Sequence, residues 1–265
     1  LEVYKCITED LIKEAAVAVA GIDFLTLHND LRELCYNKHM AGVDRTIGKD
    51  EISDSIFDRA RRGRLRLFEP LQGGEFVQLY HLRISEFLAA EHWASLGMSA
   101  AEASIQSVSK SGLLPSLSFV MQMNVEGHGD RKDVLRVNFS KYRSSCTDQA
   151  LRNCSASLCP GLAALYLNCE GCTSLTSLEQ LGEGLSNLKV LTALHLNFGG
   201  CAHLKGAVVN LVEVLRQLPH ITTLSLNLFQ NFVGNDGTKA LAEALRQLPH
   251  ITTLTLDLGR NGVGA

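Results

Sequence analysis

The sequence predicts an α/β fold: a solenoid with parallel strands inside and helices outside, preceded by a mainly helical region. Two observations carry this. The decapeptide LRQLPHITTL occurs at 215–224 and again, unchanged, at 245–254, an offset of 30 residues. Each copy runs into alternating leucines, and a helical pattern separates the copies, so a strand and a helix recur with one period. One such pair is too short to bury its own apolar faces, whereas stacked pairs share a core.

The bulk numbers fit a folded chain. Of 265 residues, 46% are hydrophobic and 20% charged, and the net charge of -3 gives no general pull toward nucleic acid or an anionic membrane. No apolar run is long enough to span a bilayer; 12–27 comes nearest, but Lys13, Glu14 and Asp23 interrupt it. A basic stretch followed by an apolar one, the mark of a signal peptide, is not seen. The eight cysteines form no compact secreted framework, so a reduced, cytoplasmic setting is expected. The sequence opens at Leu1 and stops at Gly264 and Ala265, inside a repeat, and is read as an internal piece of a longer protein.

Taken in order, residues 8–20 read as a helix capped by Thr8, 30–39 as a second, and 50–61 as a third with Ile52, Ile56 and Phe57 on one face. Two strand-like runs follow, 64–69 and 75–80, with Gly73 and Gly74 between them as a hairpin signal. Residues 81–93 form a strongly apolar helix. Helices followed by a hairpin fit a winged-helix-like arrangement over 1–96. Residues 97–132 are expected to be a helical linker or cap, with GHGDR (127–131) as its polar end.

The repeats occupy 133–265. Leu224, Leu226 and Leu228 alternate with Ser225 and Asn227, giving a strand with one buried face. A turn is expected at 234–237, then a helix with Leu241, Ala244, Leu245 and Leu248 on one side. Pro219 and Pro249 fall just past each helix and stop it. Weaker copies lie around Leu194, Leu165 and Leu135, and the series is expected to curve into a horseshoe.

The L-x-L-x-L strands, Asn231 and Asn261 after them, the G-N-D-G turn and the A-L-A-E-A-L helix resemble the ribonuclease-inhibitor-like class of leucine-rich repeats. This chain departs from the class by an extra strand leucine before Asn231. It also carries Cys172 and Cys201 where the later repeats have Asn231 and Asn261, and either residue type suits the inside of the turn. The run YHLRISEFLAAEHW (80–93) is similar to the end of the winged-helix domain in NACHT-type STAND ATPases, the NOD-like receptor family. Tyr80, His81, Glu86, Phe87, Ala89 and Ala90 match the signature there, and Arg83 and Ser85 depart from it. The resemblance implies that His81 touches the phosphates of bound ADP in the full-length protein. It also implies ADP or ATP as cofactor there, an upstream nucleotide-binding domain as partner, and no cofactor for this segment alone.

No catalytic arrangement stands out. Residues 42–50 (GVDRTIGKD) come nearest to a phosphate loop, but the spacing is one residue too long, and Asp50 stands where a magnesium-binding Ser or Thr is needed. Cys154, Cys159, Cys169 and Cys172 invite a zinc reading, yet Cys169 and Cys172 fall in one strand and turn, where buried cysteine acts as a small hydrophobe. Arg59, Arg61, Arg62, Arg64 and Arg66 cluster before the second strand run without any base-reading pattern, so nucleic acid is not an expected partner.

The binding surface is placed on the concave face, where the residues between the leucines form two columns. The first holds Arg136, Tyr166, His195, Ser225 and Thr255; the second holds Asn138, Asn168, Asn197, Asn227 and Asp257. Amides both donate and accept, which suits a protein partner, and Tyr166 and His195 are the expected anchors. Two readings stay open: a regulatory piece of a NOD-like receptor, or a free-standing repeat scaffold.

Overall fold

The computed structural model describes residues 1–19, 21–42, 46–128, 131–204, 208–218 and 220–263. Two compact units appear, one of residues 1–97 with 110–120, the other of 98–109 with 121–265. Pro219, Gly264, Ala265, the end of the 8–20 helix and parts of 42–50 and 127–131 lie outside the described residues.

In the first unit α1 (Glu2–Ala18) precedes α2 (Phe24–Ala41), then β1 (Thr46–Gly48), α3 (Asp54–Arg61), β2 (Phe68–Pro70), β3 (Phe76–Leu79) and α4 (Leu82–Ser95). Thr8 does not cap α1; it is buried within it, because the apolar spacing that includes Ile12, Ala15 and Ala16 continues upstream. The second helix is longer than the 30–39 expected. Asp23 caps it by accepting from Thr26 N at 3.0 Å, and Gly42, at φ 68°, ends it. The third starts four residues later than expected, at Asp54 rather than Asp50. The expected hairpin forms, with Phe68 opposite Leu79, but its first strand is short. A strand not foreseen, β1, pairs on the other side of β3, with Ile47 opposite Val77.

Helices α2 and α4 pack together around Leu31, Leu88 and Trp93, all fully buried. His28 Nε2 lies 2.8 Å from Glu91 Oε2, and Arg32 donates to the Glu91 carbonyl at 3.0 Å, which pins the pair.

The chain continues through α5 (Ala100–Ser109) and α6 (Leu114–Met123) to β4 (Val125–His128) and β5 (Arg131–Asn138). Where a polar linker was expected at 127–131, β4 and β5 pair antiparallel, so backbone pairing decides what composition could not. Four helix–strand alternations follow: α7 (Asp148–Ala156), β6 (Ala164–Asn168), α8 (Glu179–Leu185), β7 (Ala193–Asn197), α9 (Val208–Arg216), β8 (Thr223–Asn227), α10 (Gly234–Arg246) and β9 (Thr253–Asp257). The G-N-D-G segment is the first turn of α10, not a separate turn; Thr238 Oγ1 donates back to the Gly234 carbonyl at 2.8 Å.

The second unit is mixed α/β. Its sheet runs β4-β5-β6-β7-β8-β9 in sequence order, and the five strands from β5 onward are parallel. Leu165, Leu194 and Leu224 stand in register, as do Leu167, Leu196 and Leu226, and all are buried. On β9, which has β8 as its pairing strand, the matching Leu254 and Leu256 are 46% and 37% exposed. Helix α8 sits close against α7: a side chain at Gly184 would run into Ser155. At α5, Asn153 donates to Ser107 Oγ at 2.8 Å inside the core, which satisfies both buried groups.

Two side-chain ladders tie each module to the one before it. At the strand entrances the hydroxyls of Thr192, Thr222 and Thr252 donate to the carbonyls of Ala163, Thr192 and Thr222, each at 3.2 Å. At the exits Cys201 Sγ donates to Cys169 O at 3.0 Å, Asn231 Nδ2 to Phe198 O at 2.8 Å and Asn261 Nδ2 to Leu228 O at 2.7 Å. Just before each exit residue the backbone turns left-handed, at Gly171, Gly200, Gln230 and Arg260.

The Phe198 carbonyl also accepts from Cys201 N at 3.2 Å, so removing the Asn231 donor forfeits a hydrogen bond without stranding the acceptor, which costs about 0.5–1.5 kcal/mol. Asn231→Ala is therefore expected to lower stability by about that much. Asn231→Cys, which keeps a donor as Cys201 does, is expected to cost less. Urea melts of the two variants check this; equal losses would show that the ladder bond contributes nothing.

Candidate binding surface

The strand alternation that buries the leucines brings the intervening side chains to the other face, in register. Arg136 pairs with Tyr166, Tyr166 with His195, His195 with Ser225 and Ser225 with Thr255. Parallel strands lie about 4.8 Å apart, close to ring-stacking distance, so flat side chains at successive positions can stack. Here they do. The Tyr166 and His195 rings are 4.1 Å apart and 6° from parallel. The Arg136 guanidinium carbon sits 3.9 Å from the Tyr166 ring centre. Burial, and then the positive charge of Arg136, hold the His195 imidazole below its ordinary 6.5.

The second column does local work. Asn138 accepts from Ser140 N, Asn168 from Glu170 N, Asn197 from Gly199 N, Asn227 from Phe229 N and Asp257 from Gly259 N, all at 2.9–3.0 Å. One carbonyl or carboxylate oxygen per module thus shapes the turn that leaves the strand. Asn197 Nδ2 also lies 3.3 Å from Glu170 Oε2. The amide column read from the sequence as a recognition surface is therefore also a turn-forming one. Around Tyr166, His195, Ser225 and Thr255 the face holds a depression of about 440 Å³, with Asn227 and Asp257 among its walls. A second depression, of about 590 Å³, adjoins it at the strand exits, where Arg143, Glu170 and Asp257 line it.

His81 lies in the other compact unit, exposed, at the N-cap of α4. Its Nδ1 accepts from Arg83 N at 3.1 Å, so a neutral ring carries its proton on Nε2 and offers a donor there. It borders a cleft of about 990 Å³ that Asp10, Glu14, Glu69 and Arg66 also line, with Arg66 paired to Glu14 at 3.1 Å. Within 42–50, Thr46–Gly48 is strand and Lys49 pairs with Asp54 at 3.5 Å. Of the arginine cluster, Arg61 pairs with Asp58 at 2.8 Å.

Among the described residues no group of three or more His, Cys, Asp or Glu side chains is arranged to hold a metal ion, and none of the eight cysteines is in a disulfide. Cys172 Sγ lies 3.8 Å from Phe139 O, a weak version of the exit bond. Hydrogen bonds from the Cys146 and Cys169 thiols, helped by the charge of Arg143, lower the Cys172 pKa. Among the described residues no helix is long and apolar enough to cross a membrane.

The sequence placed Tyr166 and His195 in one column but missed their stack with Arg136. The signal was present: three flat side chains at one register position of successive strands. The threonine ladder was also missed, though Thr192, Thr222 and Thr252 recur with the repeat. The chain matches no family model and no curated protein.

Arg136→Gln removes the nearby positive charge and is expected to raise the His195 pKa, but not fully to 6.5, since burial is the larger cause. Because the folded value is the lower one, the unfolded chain takes up the proton more readily. His195's contribution to stability is therefore intact above 6.5 and falls as pH drops from 6.5 toward the folded value. NMR titration of the two proteins reads the shift; a fall in the variant would reverse the assigned sign.

Proposed function

We propose that this chain is a non-catalytic interaction and regulatory segment of a NOD-like-receptor-type protein. Residues 133–265 are a ribonuclease-inhibitor-like leucine-rich-repeat solenoid, 1–96 a winged-helix-like region, and 97–132 the linker or cap between them. The solenoid holds a protein ligand on its concave face, or holds an upstream nucleotide-binding domain inactive. Nucleic acid and membrane are not its partners, and the setting is cytoplasmic.

The observation that carries the reading is the Arg136–Tyr166–His195 stack, its arginine exposed and its rings half-buried, on an in-register face of mostly uncharged polar groups. Large amphipathic side chains held rigid before binding lose little entropy on contact, which makes them good anchors. The nucleotide part rests on the 80–93 resemblance and on the Nε2 donor that the His81 cap leaves. Three carboxylates in the neighbouring cleft oppose a phosphate and favour the second reading, a free-standing scaffold.

A photo-crosslinking side chain at Thr223, on the same face of β8 but outside the depression, is expected to trap a protein partner in cells. One at Arg246, exposed on α10, is not. Tyr166→Ala with His195→Ala should weaken that capture at least ~10-fold while the chain still unfolds cooperatively. Capture at Arg246 that survives the double substitution would move the interface to the helices.

The purified chain is expected to hydrolyse no ATP above background. Hydrolysis that Lys49→Ala abolishes would restore residues 42–50 as a phosphate loop.

A further inference from the structure

The stack on the sheet face stops abruptly. Arg136, Tyr166 and His195 occupy one register position on β5, β6 and β7, each flat group lying on the next. On β8 and β9 the same position is Ser225 and Thr255. Neither side chain reaches out as far as a ring. The depression of about 440 Å³ lies here, with His195, Ser225 and Thr255 in its lining. That volume falls within the ~300–1,000 Å³ of small-ligand sites.

Two features say what fits. One face of the His195 ring lies on Tyr166, so the guest's ring takes the next place in the column, above Ser225. A planar group there gains stacking on top of apolar burial, because an aromatic ring prefers a parallel, offset neighbour. An aliphatic side chain gains burial alone. The second feature is charge. Four of the five turn-forming positions are Asn138, Asn168, Asn197 and Asn227; the fifth, beside this depression, is Asp257. One Asp257 oxygen accepts from Gly259 N at 2.9 Å, the same job the asparagines do, so the turn does not require the negative charge. Asp257 also borders the adjoining depression, where Glu170 adds a second carboxylate.

We propose that His195, Ser225 and Thr255 form a slot for one aromatic side chain of a protein partner, with Asp257 selecting a lysine or arginine close to it in that partner's sequence. This rests on the reading of the sheet face as a protein-binding surface and narrows it to one kind of anchor. The guest ring continues the existing stack as its fourth member, and the basic group meets Asp257 at the rim. An acidic neighbour is disfavoured there by like charge.

The test uses small probes on the full chain, read by NMR at the His195 ring. N-acetyltryptophanamide is expected to move the His195 ring-proton signals upfield, saturably and in the millimolar range. N-acetylleucinamide should not. Ser225→Tyr puts a ring of the chain's own into the slot and should abolish the response; Ser225→Leu, filling it differently, should do the same. An acetylated Trp-Lys amide should bind several-fold more tightly than the Trp-Glu amide. Asp257→Asn, which keeps the turn acceptor, should erase that difference. Equal shifts from the tryptophan and leucine probes, or tryptophan binding that survives both Ser225 substitutions, would overturn the slot. Equal affinity of the two dipeptides would overturn the role of Asp257. These probes report on the slot whether or not a protein partner is captured. Slot binding without crosslinking at Thr223 would therefore count against the protein-binding reading alone, and crosslinking without slot binding against this one.

Discussion

Strands β6, β7 and β8 each use their backbone donors and acceptors toward a strand on both sides, and the pairing is parallel and in register throughout. Everything else in the second unit follows from that registry. A slip of one residue would turn Leu165, Leu194 and Leu224 out of the core and bury Tyr166, His195 and Ser225 instead. The registry is fixed from both ends by side chains that reach the module before them. Threonine hydroxyls hold the entrances, and a thiol or amide holds the exits. Most of these carbonyls also accept a backbone N–H, so each side-chain bond adds a second donor and holds the alignment.

The same registry makes the surface. Parallel strands in register repeat a side chain at close to stacking distance, so a column of flat groups becomes a rigid stack without further support. The second column shows how one residue serves two ends. Its asparagines shape the turns with one oxygen, and at Asn197 the amide nitrogen reaches across to Glu170. Because the turn needs only an acceptor, the charge on Asp257 is not required for it.

The cysteines illustrate a related economy. Cys172 and Cys201 take exit positions that Asn231 and Asn261 fill later. At Cys201 the thiol donates well. At Cys172 the thiol reaches the Phe139 carbonyl only at 3.8 Å, a weaker form of the same bond. The spacing of these cysteines reflects the repeat, and the ladder explains why they are there.

Much of this was legible in the sequence because it is periodic. Leu224, Leu226 and Leu228 against Ser225 and Asn227 declare a strand and its buried side, and the 30-residue offset aligns the strands before any coordinates exist. The candidate columns, from Arg136 to Thr255 and from Asn138 to Asp257, follow from the same alternation. Signals that are local were read less well. Thr8 has the chemistry of a cap, but tertiary burial draws it into the middle of α1. The run 127–131 has a linker's composition, yet Gly127, His128 and Arg131 lie in paired strands. Thr46–Gly48 lies in a segment that mimics a phosphate loop, and pairing with β3 makes it a strand. The sequence by itself determined the repeat, its buried face and the identity of the exposed columns, since periodicity is a property of the chain. Only the tertiary structure decided that Arg136, Tyr166 and His195 stack and that Asp257 borders the gap where the stack ends. Those facts depend on distances between strands about 30 residues apart, which no local pattern encodes.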